Sequence, residues 1–370
     1  MFYLILGSVF SVMAVIFYWM FGKWLSFYRV PVKKWPFRLL RAGLSGLIFL
    51  LWRLWSIAGL AALHLAAFFA LTEAVALPLR RWGTRWKEQS WYRALRGVYR
   101  TGLIPGALTC LLLGWGFYNM SHIVKTEYAI SSAKLKEDRV LALLTDIHYG
   151  TVQSPQVLQR KIQEINRLNP DVVVLGGDIV EEGASREEME QAFQMLGELQ
   201  SAYGTYYIYG NHDRQLYADH RAGGRAYTED QLIQAIESNG IAILRDQKIE
   251  LGPDLTLAGR EDASYPGGRA SAAELLAGAD PDRFLIVADH QPVDVSQNAA
   301  LGADLQLSGH THAGQIFPAG LLTERIFGFS YGQYWQDGCC VVVSSGAAGW
   351  GFPIRTEKRC EYVVIHLKKE

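Results

Sequence analysis

The sequence predicts an α/β domain preceded by an all-α, membrane-spanning region of about four helices. Three observations carry that prediction. The first third is apolar and basic, the remainder is acidic and alternates short apolar runs with helical periodicity, and polar side chains recur just past the ends of those runs.

At 370 residues the chain has room for two or three units. Its net charge of zero hides a split: residues 1–137 carry 17 Lys and Arg against 4 Asp and Glu, and residues 138–370 carry 19 against 32. The acidic part argues against a nucleic-acid partner, because phosphate neutralisation needs Lys and Arg. Four cysteines are too few for a disulfide framework. Cys110 is expected to be buried in its apolar run, and Cys339, Cys340 and Cys360 are expected as buried free thiols.

Residues 2–21 are apolar without a charge, long enough to cross a hydrocarbon core of ~30 Å as an uncleaved span. Residues 42–79 are nearly continuous apolar sequence and fit two spans joined by a tight turn near Arg53–Gly59 better than one long tilted span. A shorter run over 101–117 makes a fourth. Basic loops follow the first and third spans, with Lys33, Lys34, Arg38 and Arg41 in one and Arg85, Lys87, Arg93, Arg96 and Arg100 in the other. The excess of Lys and Arg puts both loops in the cytoplasm and everything after about Ser121 outside the inner membrane. His64 and Glu73 lie within an apolar run and are read as helix contacts rather than a proton path. The expected organisation is a transmembrane region over 1–120, a polar linker over 121–138 and an α/β domain over 139–370.

In the last part, a strand over 140–145 leads into Asp146-Ile147-His148. Ser154 is a helix N-cap ahead of Leu158, Ile162, Ile165 and Leu168 on one face. Strand 172–175 ends in Gly176-Gly177-Asp178. Ser185 and Glu188 form a capping box, and Ala192, Phe193, Leu196 and Leu199 are the buried face of that helix. Strand 205–209 leads into Gly210-Asn211-His212-Asp213. A helix over 229–238, a strand over 241–245 and a hairpin turning at Gly252-Pro253-Asp254 follow. Strand 282–288 ends at Asp289-His290, and an apolar run over 303–307 ends at Ser308-Gly309-His310-Thr311-His312. Five times a strand ends in ligand-capable side chains, which is where α/β folds place ligands.

The set mixes imidazole, carboxylate and amide oxygen, a donor mixture suited to borderline divalent ions such as Mn, Fe, Zn or Co. Seven such side chains exceed the needs of one ion. With one carboxylate bridging they suit two ions ~3.5–4 Å apart, a pair that clamps phosphoryl oxygens and activates the attacking water. A further histidine inside Asn-His-Asp is placed to protonate a leaving oxygen.

Asp146-x-His148, Gly177-Asp178, Gly210-Asn211-His212-Asp213, His290 and Gly309-His310-Thr311-His312 resemble, in order and spacing, the motifs of the calcineurin-like metallophosphoesterases. The tail from Ser344-Ser345-Gly346 to Pro353-Ile354-Arg355 is similar to that of their membrane-anchored bacterial branch. The resemblance implies a four-layer α/β/β/α sandwich. It implies that Asp146, His148 and His312 hold the first metal, that Asn211, His290 and His310 hold the second, and that Asp178 bridges. His212 is then the acid facing the leaving group and Asp213 its orienting partner. Ala313 departs from the branch, whose pattern usually has Gly there. Arg214 is a candidate for reaching a phosphate, Arg355 for a structural ion pair, and Asp262 and Asp289 for loop support. Tyr331, Tyr334, Trp335, Trp350 and Phe352 are core aromatics by default, with the rim of a lipid-facing pocket as the other reading. The expected activity is hydrolysis of a phosphodiester or pyrophosphate, of a lipid where the membrane location decides. The alternatives are a phosphomonoesterase or nucleotidase on soluble substrates, a non-catalytic membrane sensor, and a transporter with a regulatory domain.

Overall fold

The computed structural model describes residues 2–47, 56–150, 152–218 and 224–370. The chain divides into two compact units, Met1–Trp115 and Gly116–Glu370.

The first unit contains α1 (Phe2–Phe27), α2 (Trp35–Gly46), α3 (Ile57–Trp82), α4 (Ser90–Thr101) and most of α5 (Leu103–Ser121). Among the described residues, three stretches are long and apolar enough to cross a membrane: Gly7–Phe27, Ile57–Leu79 and Leu103–Ser121. Of the turn expected near Arg53–Gly59, residues 53–55 lie outside the described residues, and Ser56 instead caps α3, which begins at Ile57.

Contacts between α1 and α3 advance together along both helices. Met13 and Phe17 cluster with Ala62 and Ala66, Trp19 packs edge-on against Phe69 at 5.4 Å, and Lys23 pairs with Glu73. Two helices whose contacts advance together run parallel, so α1 and α3 end at the same level. Helix α2 follows the end of α1 yet reaches back to it: the Arg41 guanidinium donates to the Tyr18 carbonyl at 2.7 Å and lies 3.9 Å over the Tyr18 ring. Glu73 also accepts from Tyr99 Oη at 2.6 Å, and His64 Nδ1 sits 2.8 Å from the Leu60 carbonyl, so both polar groups make helix contacts. Cys110 is exposed on α5 rather than buried, because a run that is apolar all round does not mark which face meets a neighbour.

The second unit is a stack of four layers. One six-stranded sheet has the order β1 (Val124–Ser132), β12 (Glu361–Lys369), β2 (Arg139–Leu144), β3 (Val172–Leu175), β4 (Thr205–Tyr207), β5 (Ile241–Ile243). Strands β2 to β5 are parallel and β12 is antiparallel to β2. The second sheet has the order β10 (Gly332–Gln336), β11 (Cys339–Val343), β9 (Leu305–Ser308), β8 (Phe284–Ala288), β7 (Leu255–Gly259), β6 (Gln247–Leu251), parallel from β11 to β7 with antiparallel edges. Between the sheets Leu141, Leu143, Val172 and Val174 pack with Leu257, Ile286, Leu305 and Val342.

Helices cover both outer faces. The helices α6 (Pro155–Asn166), α7 (Arg186–Leu196) and α8 (Glu229–Glu237) bury Leu158, Ile162, Phe193, Leu196 and Ile236 against Ala142, Leu144 and Val173. On the far side, α9 (Ala272–Leu276) and α10 (Val295–Ala300) place Leu275, Leu276 and Val295 on the second sheet. The caps are those the sequence predicts: Ser154 accepts from Val157 N–H, and Ser185 with Glu188 forms a capping box. The remaining helix, α11 (Gly320–Phe327), buries none of its residues.

The expected linker over 121–138 is corrected by β1. Its residues alternate between exposed and half-buried and it pairs in parallel with β12 alone, so a half-wetted edge strand reads as polar sequence. Cys339, Cys340 and Cys360 are buried and free, as expected.

The parallel run of α1 and α3 gives a test of topology. With Cys110→Ser as background, single cysteines at Lys33→Cys and Lys87→Cys should both react with an impermeant maleimide from the same side of sealed vesicles. Labelling from opposite sides would mean that the chain does not cross back between the two helices.

Candidate metal centre

Parallel strands are buried on both faces and stop at a shared edge, so the loops after β2, β3, β4, β8 and β9 meet. These loops bring Asp146, His148, Asp178, Asn211, His290, His310 and His312 together. Asp146, His148 and His312 can offer ligand atoms to one ion, and Asp178, His290 and His310 to another. The carboxylate of Asp178 lies between the groups: its Oδ2 is 3.1 Å from His290 Nε2 and 3.9 Å from His148 Nε2.

The outward nitrogens of three of these histidines are committed, which aims the others inward. His290 Nδ1–H donates to the Gly176 carbonyl at 2.8 Å, and His312 Nδ1–H points at the Ala348 carbonyl at 3.2 Å. His148 Nδ1 lies 2.7 Å from the Glu181 carboxylate. The inward pair, His148 Nε2 and His312 Nε2, stand 3.2 Å apart. Outer partners of this kind fix the tautomer of metal-binding imidazoles. Asn211 Oδ1 and His310 Nδ1 are buried with no hydrogen-bond partner among the described residues. Unpartnered buried polar atoms are costly, and two on residues lining the same cleft are what a cation would satisfy. Burial, reinforced by the neighbouring His290, holds His310 down at about 3, and burial with His148 and Arg355 holds His312 well below the ordinary histidine value. Both are neutral imidazoles, the ligating form. The donor set therefore fits two divalent ions.

Five of these residues, Asp146, His148, Asp178, His310 and His312, have left-handed backbones with φ between 46° and 66°. Each such non-glycine residue costs roughly 1–2 kcal/mol, and strain of this kind gathers at functional sites. Ala313, with φ of 49°, is strained in the same way, which is why Gly is the easier residue there. Two glycines have a steric role. A Cβ on Gly210 would strike the Asp178 carboxylate, and one on Gly309 would strike that of Asp146.

Asp213 does not stand behind His212. Its carboxylate accepts the backbone N–H groups of Gly210, Asp178, Ile179 and Val180 at 2.7–3.2 Å. The group at His212 Nδ1 is the Glu182 carboxylate. Burial disfavours the His212 cation, but Asp178 and Glu182 outweigh it and raise the imidazole to about 9. Burial is also the main cause that pushes Glu182 up to about 7. Sequence reasoning missed Glu181 and Glu182. The signal was their place on the same short loop as Asp178.

The other candidates have structural partners. Arg214 donates two bonds to Glu261 at 2.7 and 2.8 Å and one to Glu229 at 2.9 Å, so its donors are engaged away from any phosphate. Arg355 is fully buried, and its guanidinium donates to the carbonyls of His312, Ser345 and Ala348 rather than to a carboxylate. Asp289 is bound by Arg260 and Arg269, and Asp262 accepts from Gln291. Of the aromatic set, Trp350 reaches the site, its ring 5.8 Å from that of His212. A cleft of about 580 Å³ opens there, lined by Glu181, Glu182, Asn211, His212, His310 and Trp350 among others. Phe352 is buried and Trp335 is 60% exposed on β10.

Residues 140–314 match the family model described as calcineurin-like phosphoesterase. A zebrafish transmembrane protein with a metallophosphoesterase domain is 31% identical over 285 residues, 74% of this chain and 64% of the relative. The chain thus spans just under two thirds of that protein's length. A metallophosphoesterase of Helicobacter pylori is 30% identical over 69% of this chain and 68% of its own length. The Bacillus subtilis metallophosphoesterase YkuE is 27% identical over 76% of this chain and 99% of its own.

The steric role of the glycines is checked without touching a ligand. Gly210→Ala should lose most of its bound divalent metal, read by elemental analysis, while its circular dichroism is unchanged. Full metal content in that variant would show that the loops do not need the close approach.

Proposed function

The chain belongs to the calcineurin-like metallophosphoesterase family, and on that premise we propose that it hydrolyses a phosphodiester or pyrophosphate of an amphiphilic substrate at a membrane surface, through a dinuclear centre. The observation that carries the reading is the convergence of two ligand groups about Asp178, with Asn211 Oδ1 and His310 Nδ1 buried and unpartnered beside them. Asp146, His148 and His312 would hold one ion, Asn211, His290 and His310 the other, and Asp178 would be shared between them. Manganese, iron, zinc and cobalt all suit these donors.

Bound there, the ions supply positive charge to the phosphoryl oxygens and lower the pKa of the attacking water. The chain's own residues do the rest. His212 opens onto the cleft with a raised pKa and is protonated at neutral pH, so it gives its proton to the leaving oxygen. Glu182 holds the imidazole through Nδ1, which leaves Nε2 to donate. Trp350 and Tyr217 flank His212 and bound the space for the leaving group.

The lipid part of the proposal rests on location. Three helices of the first unit are long and apolar enough to span a bilayer, and two residues separate α5 from β1. The parallel course of α1 and α3 supports four crossings. Basic loops on one side then put the catalytic domain outside the cytoplasm, at the inner membrane of a bacterial cell.

Three outcomes test the reading on the full chain in detergent. Manganese-dependent cleavage of a chromogenic phosphodiester should exceed that of the matching monoester; a preference for the monoester would move the assignment to a phosphomonoesterase. His212→Ala should lower kcat by about 10²–10⁴ with metal retained, whereas Asp178→Ala should lose both ions. An Asp178→Ala chain with full metal and full turnover would sink the bridging role. Protonated His212 is lost as pH rises through its pKa, so kcat has an alkaline limb. Removing the Glu182 charge lowers that pKa, and Glu182→Gln should move the limb to lower pH. A limb that stays put would separate Glu182 from the proton transfer.

A further inference from the structure

Beside the metal loop the second unit carries a surface that neither catalysis nor folding explains. Phe317, Leu321, Leu322 and Ile326, at the start of and along α11, are 60%, 69%, 61% and 64% exposed. Four large apolar side chains open to water within ten residues are a patch that wants a cover.

The local chain shows what lies next to it. Gly320 N–H, at the start of α11, donates to the Glu357 carboxylate at 2.8 Å, and Phe317 N–H donates to Thr356 Oγ1 at 3.0 Å. The same segment receives the end of α5. Arg355 N–H donates to the Gly116 carbonyl at 3.1 Å, and Asn119 Nδ2 donates to the carbonyls of Arg355 at 3.1 Å and Lys358 at 2.6 Å. So residues 355–358 grip both the end of a candidate span and the start of the apolar helix. At its other end α11 brings the Phe327 ring to 5.5 Å from that of His310. Arg325 on the helix is exposed, as are Lys358 at the end of the gripping segment and Arg359 just after it. Apolar side chains bordered by cations suit the headgroup boundary of a bilayer with anionic lipid.

We infer that α11 is an interfacial membrane contact. Phe317, Leu321, Leu322 and Ile326 enter the lipid surface where α5 leaves it, which holds the mouth of the metal centre against the bilayer. A substrate whose phosphate sits at the headgroup level then reaches His310 without leaving the membrane. The contact rests on the reading of α5 as a span and not on the identity of the substrate.

The test uses the full chain in vesicles of phosphatidylcholine and phosphatidylglycerol, with a fluorophore at one cysteine. Cys110, exposed on α5, reports the span itself, and the other three cysteines are buried. In a Cys110→Ser background, Leu322→Cys reports α11 and Ile249→Cys, on exposed β6, reports the rest of the domain. Lipids with brominated acyl chains should quench the label at Leu322→Cys to a degree comparable with Cys110, and leave Ile249→Cys bright. Leu321→Cys repeats the measurement should Leu322→Cys fold poorly. Quenching at Cys110 but not at the two α11 positions overturns the inference alone. Quenching at neither overturns it together with the membrane reading. An α11 label shielded from both brominated lipid and aqueous iodide would assign the face to a second copy of the chain and also overturn it.

Discussion

One carboxylate holds the metal loops in register. Asp213 accepts four backbone N–H groups, three from the loop after β3 and one from its own loop after β4. Those N–H groups are buried beyond the ends of their strands, where no ladder bond can satisfy them, and each left unmade would cost on the order of 1–3 kcal/mol. Satisfying them also sets Asp178 in its left-handed conformation beside Gly210, and lets His212 N–H donate to Asp178 Oδ1 at 2.9 Å. The placement of the Asp178 carboxylate follows from the placement of Asp213. The two loops cannot move independently, and the strain stored in the ligand residues is held by this bonding rather than relaxed. A parallel tie holds the other side of the site, where Asp146 accepts the His310 N–H at 3.0 Å and so links the loop after β2 to the loop after β9.

How legible this was depended on burial. Strands covered on both faces are continuous apolar runs, so Val172–Leu175 and the strands ahead of Asp146 and His310 stood out, and the side chains following them stood out too. β1 did not, because an edge strand with one wet face alternates like a linker and its partner β12 lies at the other end of the chain. Asp146, His148 and His312 gather in one group and Asp178, His290 and His310 in another, because their motifs sit at strand ends that share one edge. The environment of His212 was not legible. An acidic residue after Asn-His is equally able to face the ring or the backbone, and only the fold shows that Asp213 took the backbone while Glu182 took the ring. Arg214 and Arg355 likewise carry the same charge in the sequence, and it is their buried partners, Glu261 and a set of carbonyls, that remove them from the cleft.

The membrane unit shows the same limit. Hydropathy marks apolar length, and among the described residues three helices have it. Direction is a tertiary property. It emerges from paired contacts such as Trp19 with Phe69 and Lys23 with Glu73, which no window over the sequence contains. The exposed face of α11 was also beyond reach, because nothing in the sequence says whether a neighbour covers Leu321, Leu322 and Ile326. The short segment 355–358 then connects the end of α5 to α11 and, through the Gln315 carbonyl, to the loop that carries His310 and His312, so that both share one strip of chain.

The central claim is that Asp178 joins two ions into one centre. Electron paramagnetic resonance of the manganese-loaded full chain tests it most directly. A shared carboxylate predicts an exchange-coupled spectrum with two manganese ions per chain. A six-line signal from isolated ions, with one per chain or two that do not interact, would contradict the bridge and with it the dinuclear account.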